Sequence, residues 1–279
     1  MHKKICILHA NCQGDEIERL LLLSNFFSAS YQLHRFTNYT REAIPDALLA
    51  DCQLFLYQHL GPTWENLSSD RLLSKLPPSS LSLRIPNMFF RAYWPFWTNR
   101  SPMDFGDSLL DRLIDEGAPK PVILRIYLHG DIGAFADLEA ITENSFAIET
   151  VKEEQVCVKT VDFIREEWKK KALFHTVNHP GKELLLMAVD GILRELGFPA
   201  LGSSELAALE NQGAFPSYSD FDLPIHPQVA EFHGLQFIRP SHLFSVFGKR
   251  MTFEQYASRY IDCRLNGMET NFLGYVQLV

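Results

Sequence analysis

With 279 residues, the chain is long enough for one large domain or two small ones and for a sizeable core. Its 46% hydrophobic and 22% charged residues are ordinary for a soluble globular protein, and a net charge of −8 argues against a general nucleic-acid binder, which needs a basic surface. Five cysteines at irregular spacing, with no CxxC pair, fit neither a disulfide framework nor a structural zinc site, so a reduced, cytoplasmic protein without a metal is expected.

The N-terminal apolar run is too short for a signal peptide's core, and no stretch reaches the roughly 18 apolar residues of a membrane span. That run, Ile5-Cys-Ile-Leu8, reads as a buried strand. From Asp15 the pattern is helical, with Ile17, Leu20, Leu21 and Phe27 in period and Asp15, Glu16 and Glu18 in the first turn, where acids suit the helix dipole. The hexapeptide His9-Ala-Asn-Cys-Gln-Gly14 therefore lies at a strand-to-helix turn. A free cysteine is usually packing material. Cys12 is set apart by its polar flanks, Asn11 and Gln13, and by its place at the carboxyl end of a strand, where open α/β sheets collect ligands. Backbone N–H groups and the helix dipole at such a turn are expected to stabilise a thiolate.

Tyr31–Phe36 alternates and reads as a second strand, and Arg41–Ala50 is a short helix candidate. Leu54–Tyr57 is a third strand that delivers Gln58-His59 at its end. Trp64–Leu76 reads as a helix closed by Pro77-Pro78, and Leu81–Ile85 as a fourth strand. Strands alternating with helices predict an α/β fold with a small, mostly parallel sheet flanked by helices and a helix-rich C-terminal half. The segment Ile85–Trp97 is rich in aromatics and carries two prolines. It reads either as a loop packed over the core or as the wall of a ligand pocket, with Asn87, Arg91 and Tyr93 as its placed polar groups.

Ser101–Glu116 opens with a capping pattern and reads as a helix ending at Gly117. Pro121–Leu128 is undecided between strand and helix, and 132–171 is mostly helical. Leu173–Val177 is a further strand candidate, followed by Asn178-His179-Pro180-Gly181 and a clear amphipathic helix, Lys182–Leu196. His179 on its own reads as a helix cap; together with Cys12 it becomes a candidate base. Gly202–Leu223 reads as a long surface loop, and Thr252 with Gln255 as a capping box opening the last helix. No repeat, low-complexity tract or linker breaks the chain, so residues 1–279 are expected to form a single α/β domain with helical insertions. GxGxxG, GxxxxGK[ST], HExxH and GxSxG are all absent.

Asn11-Cys12-Gln13 after the first strand, Gln58 after the third, Ile85-Pro-Asn87 before an aromatic stretch with Tyr93 and Pro95, and Asn178-His179-Pro180 before a helix together resemble the polysaccharide biosynthesis enzyme WcbI family. The resemblance runs from about Lys4 to Cys263; its motifs are short, and their order makes it specific. His9-Ala10 stands where a small residue or glycine is expected. The resemblance implies a coenzyme A-binding acetyltransferase of bacterial capsule synthesis, with acetyl-CoA as donor and a sugar hydroxyl as acceptor.

On this reading Cys12 and His179 are catalytic, and Gln13 with Asn11 and backbone N–H groups stabilises the oxyanion. Gln58 or Asn178 orients the imidazole, and His59, Asn87 and Tyr93 line the substrate site. Arg91 and Lys182 take the coenzyme A phosphates. Imidazole and thiol are expected within about 4 Å of each other, both on the carboxyl edge of one parallel sheet. The alternatives are a cysteine-dependent thioester or ester hydrolase, or a non-catalytic nucleotide- or glycan-binding module.

Overall fold

The computed structural model describes residues 2–211 and 220–278. The chain forms two compact units, each assembled from three stretches of sequence: Met1–Met88, Ile148–Arg165 and His179–Ser217 make the first, and Phe89–Ala147, Glu166–Asn178 and Tyr218–Val279 the second.

The first unit is built on four parallel strands: β1 (Lys4–Ala10), β2 (Tyr31–Thr37), β3 (Cys52–Tyr57) and β4 (Leu81–Arg84), side by side in the order β2-β1-β3-β4. The reason lies in the side-chain alternation. Ile5, Ile7, Phe55 and Tyr57 share one face and pack with Ile44, Leu49 and Leu72. Cys6, Leu8, Leu54 and Leu56, all fully buried, share the other. Strands apolar on both faces need helices on both, which is the condition for a parallel sheet. Helix α1 (Gln13–Leu23) packs against the helix Lys182–Glu195. Ile17, Leu20 and Leu21 on α1, and Leu184, Leu185, Ala188 and Val189 on that helix, are fully buried.

From β1 the chain moves to β2 on one side, then returns past β1 to β3 on the other. The carboxyl ends of β1 and β3 therefore flank a switch point, where neighbouring connections leave on opposite sides and open a crevice. Asn11 and Gln58 each follow one of these two strand ends, and the Gln58 backbone N–H donates to the His9 carbonyl at 3.0 Å.

The second unit is helical around an aromatic core. Phe90, 1% exposed, has the rings of Tyr93, Phe146, Trp168 and Phe174 at centroid distances of 5.0, 5.4, 5.5 and 5.4 Å. The helix Phe253–Leu265 opens with the expected capping box of Thr252 and Gln255. Among the described residues no helix is long and apolar enough to cross a membrane.

Several element readings shift. The Ser101–Glu116 candidate forms a helix only over Ser108–Asp115, because Asp107 supplies the real cap, accepting from the backbone N–H groups of Leu109 and Leu110. The undecided apolar run is a helix, Lys120–His129, with proline in its first turn, where no N–H is missed. Gly202–Leu223 is not loop throughout: Ser203–Asn211 is helical, and residues 212–219 of that reading lie outside the described residues.

Candidate functional site

The site begins with backbone chemistry. Helix α1 starts at Gln13, and its N-terminal N–H groups need acceptors. Asn11 supplies one, its Oδ1 accepting from the Gln13 N–H at 2.9 Å. The Gly14 N–H donates to the Asn11 carbonyl at 2.9 Å. A Cβ at Gly14 would lie 3.1 Å from Ala10 Cβ and 3.4 Å from Arg35 Cδ, so glycine lets the turn close against its own strand.

Gln13 and Gln58 are fully buried, and a buried amide must find partners. Gln58 Oε1 accepts from the Asn11 N–H at 2.8 Å, and its Nε2 donates to the Pro86 carbonyl at 2.9 Å and to Gln13 Oε1 at 3.2 Å. Gln13 Nε2 donates to the Met88 carbonyl at 2.8 Å, while its Oε1 also accepts from the Met88 N–H at 3.3 Å. Asn11 Nδ2 donates to Asn87 Oδ1 at 3.1 Å. Four of the residues singled out in the sequence thus form one amide network. It ties the turn after β1 to the end of β3 and to the segment after β4. Gln13 lies inside this scaffold, and the groups turned toward the Cys12 sulfur are the backbone N–H groups of Cys12 and Gln13.

The network presents Cys12, half-buried, to His179, whose Nε2 lies 3.2 Å from Sγ. That is inside the expected 4 Å, but the route differs. His179 does not end a strand of the four-stranded sheet. It sits in the two-residue extended segment His179–Pro180, just before the helix Lys182–Glu195, and the packing of that helix on α1 accompanies its approach.

The electrostatics also differ from expectation. Burial pushes the Cys12 thiol up to about 11, and Asp15 adds to the rise; the Cys12 and Gln13 N–H groups pull the other way and lose. The thiol of the free protein is therefore protonated at neutral pH. His9, 1% exposed at the end of β1, has both ring nitrogens buried without a hydrogen-bond partner among the described residues, and burial lowers its pKa to about 4. It is a neutral imidazole.

Two neighbours escaped the sequence reading. Arg35 on β2 pairs with Asp15 at 2.6 Å and Glu18 at 2.8 Å, tying β2 to the first turn of α1. Tyr39 lies near enough for Cys12 to contribute to the rise in its pKa, after burial. Neither carries a sequence signal of its own; both depend on β2 lying beside β1.

The remaining candidates divide. His59 is exposed in the first unit, and Lys182 begins the Lys182–Glu195 helix. Arg91, Tyr93 and Asn178 belong to the second unit. The Arg91 guanidinium donates to the carbonyls of Pro95 and Trp97 and lies 5.9 Å from the Trp97 ring, so it clamps its own loop. Tyr93 is fully buried, its hydroxyl donating to the Trp168 carbonyl. Asn178 Oδ1 accepts from the Thr176 hydroxyl at 3.1 Å.

Compared with known proteins, residues 5–201 match the model of the family described as polysaccharide biosynthesis enzyme WcbI. A solved structure described as WcbI, a novel polysaccharide biosynthesis enzyme, superposes with a TM-score of 0.73 at 18% identity, covering 98% of this chain and 94% of that one. It is the native protein without a disulfide bond between coenzyme A and one of its cysteines. No protein of curated function matches the sequence.

Proposed function

The chain belongs to the polysaccharide biosynthesis enzyme WcbI family, and from that premise we propose that it moves an acetyl group from acetyl-CoA to a hydroxyl of a sugar or polysaccharide precursor. The observation that carries this reading is the 3.2 Å approach of His179 Nε2 to Cys12 Sγ at the end of β1. A thiol with a base in hydrogen-bond reach, at a helix start rich in N–H groups, is equipped for acyl transfer.

Because the thiol rests protonated, the thiolate forms during attack rather than before it. His179 Nε2 takes the Cys12 proton as Sγ bonds to the thioester carbonyl carbon. The oxyanion that develops faces the Cys12 and Gln13 N–H groups. The carbon–sulfur bond to coenzyme A breaks, and His179 returns the proton to the departing thiolate. An acceptor hydroxyl then gives its proton to His179 and attacks acetyl-Cys12, and the sulfur leaves with that proton. Gln13, Gln58, Asn11 and Asn87 act by holding the turn. Lys182 and the helix start behind it are the proposed partners of the coenzyme A phosphates. The related solved structure is of a form without a disulfide bond between coenzyme A and one of its cysteines, and we assign the corresponding cysteine here to Cys12. The five free thiols fit a reaction in the cytoplasm.

The raised thiol pKa favours a second reading, in which His179 deprotonates the acceptor directly and Cys12 only lines the thioester pocket. Incubation with acetyl-CoA, acid quench and peptide mass spectrometry separate the two. Acetyl-Cys12 that forms and is discharged by a sugar acceptor supports the covalent route. Near-normal turnover by Cys12→Ala eliminates that route. Discharge to water at the same rate without acceptor would make the protein a hydrolase. In the free protein at pH 7, Cys12 should be alkylated about tenfold more slowly than a thiol of ordinary pKa: its thiolate fraction is about 100-fold smaller, and the greater nucleophilicity of the more basic thiolate offsets part of that.

A further inference from the structure

The second unit contains a cavity of about 360 Å³, within the roughly 300–1,000 Å³ of small-molecule sites. Its walls are largely apolar and include Trp94 and Phe244; its polar groups include His175, Asp222 and Arg250. None of these residues has a role in the reaction proposed above.

The polar groups are positioned. His175 Nδ1 lies 2.7 Å from Asp222 Oδ1. The carboxylate is itself held, its Oδ2 accepting from the Ser245 N–H at 3.3 Å, while the Asp222 N–H donates to the Ser245 carbonyl. A carboxylate fixed at Nδ1 selects the tautomer with the proton on that nitrogen, which leaves Nε2 as the acceptor offered to a ligand. Arg250 stands opposite Ser245 on the hairpin formed by Phe244–Val246 and Lys249–Met251. It is exposed, with no ion pair among the described residues. Its field reaches His242, another residue of the wall, whose pKa is lowered first by burial and then by Arg250, with Asp222 opposing.

A fixed hydrogen-bonding dyad, an unpaired guanidinium and aromatic walls in one small cavity complement a specific chemistry. A hydroxyl donates to Nε2, an anionic substituent pairs with Arg250, and the C–H face of a ring lies against Trp94 and Phe244. We propose that this cavity binds a monosaccharide carrying one anionic group, a phosphate or a carboxylate. The site stands on the second unit alone and does not require acyl transfer at Cys12.

Isothermal titration of the full chain, carried out without coenzyme A and repeated in Cys12→Ala, tests the site apart from the proposed reaction. The probes are hexose phosphates and hexuronates of the gluco, galacto and manno series, the matching neutral hexoses, and inorganic phosphate. At least one anionic sugar should bind about tenfold or more tightly than both its neutral hexose and phosphate alone. Arg250→Ala, a change at an exposed residue, should bring that sugar down to the neutral hexose. Asp222→Asn, with its thermal melting checked, should weaken the anionic and neutral sugars alike, by about tenfold. Binding of phosphate as tight as that of every sugar phosphate would mean an anion site and overturn the proposal. So would silence from every probe at millimolar concentration, or wild-type affinity in Arg250→Ala.

Discussion

The turn after β1 and the aromatic run 89–97 hold their groups by opposite means. In the turn, Asn11, Gln13, Gln58 and Asn87 bond to one another and to backbone groups, which fixes angles as well as distances. In the run, Phe90 sits among four rings, and Arg91 and Tyr93 donate to carbonyls of their own unit. Hydrogen bonds are directional and can aim a thiol at an imidazole; ring packing fills volume and tolerates small shifts. The turn should therefore govern turnover and the run stability. The largest effect expected from breaking this division is at His179. His179→Ala should cost about two to four orders of magnitude in acetyl transfer, with the midpoint of unfolding little changed. Steady-state kinetics beside a denaturation curve checks both halves, and equal losses in the two would erase the division.

The converse applies to Phe90. Truncating a fully packed phenylalanine to alanine typically costs about 3–5 kcal/mol, so Phe90→Ala should lower the stability of the second unit by that amount. The fraction that remains folded should keep an ordinary turnover per active site. Urea unfolding with active-site titration measures it, and loss of activity without loss of stability would return the run to the catalytic machinery.

What the sequence makes legible follows the same division. The short apolar run Ile5–Leu8 and the helical period of Ile17, Leu20 and Leu21 place β1, α1 and the turn between them, because both patterns are local. Asn11, Gln58 and Asn87 are readable as polar residues at strand ends. Their mutual bonding is not, since it depends on the strand order. The helix dipole at Cys12 is equally visible in sequence, whereas the burial that outweighs it and raises the thiol pKa depends on the assembled unit. The aromatic run leaves two readings open for a physical reason: a core wall and a ligand wall have the same composition, and the structure separates them residue by residue, burying Tyr93 and holding Arg91 on carbonyls while Trp94 lines the cavity of the second unit. Ser203–Asn211 is read as loop because glycines and a proline surround a short helix.

A smaller effect comes from histidines buried neutral in both units. His9 and His233 each have a pKa lowered to about 4, burial being the main cause. Their folded values lie below the unfolded one near 6.5, so between pH 6.5 and 4 the unfolded chain binds more protons. The stability these residues contribute is complete above pH 6.5 and is lost as the pH falls toward 4, by up to about 3 kcal/mol for His9. The two sites differ in one respect: His233 Nε2 lies 3.3 Å from the Thr142 hydroxyl, while His9 has no hydrogen-bond partner among the described residues. His9→Leu should therefore be neutral or stabilising at pH 7 and should flatten the acid limb, because it removes an unsatisfied polar group of similar size. Urea midpoints from pH 7 to 4 read this directly, and an unchanged acid limb in His9→Leu would assign the sensitivity elsewhere.

The smallest effect sharpens the comparison most, because Asn11 serves the turn in two ways. Its Oδ1 accepts from the Gln13 N–H in an Asx-type turn just ahead of α1, whose N-cap is Cys12, and its Nδ2 reaches Asn87. Its own backbone N–H, held by Gln58 Oε1, survives any substitution that keeps the chain in place. Asn11→Ala removes both side-chain bonds and should cost about 1–2 kcal/mol, the usual net worth of two such hydrogen bonds. Asn11→Asp keeps the acceptor for Gln13 and gains from the helix dipole, but it replaces the donor to Asn87 with a second acceptor. If the bond to the Gln13 N–H is what holds the turn, Asn11→Asp recovers the lost stability. If the contact with Asn87 aims the thiol, Asn11→Asp stays slow in acetyl transfer although its stability is restored. A carboxylate beside Cys12 adds to the effect of Asp15, raising the thiol pKa further and slowing alkylation at neutral pH. Stability recovered together with turnover would reduce the role of Asn11 to that of an acceptor for the Gln13 N–H.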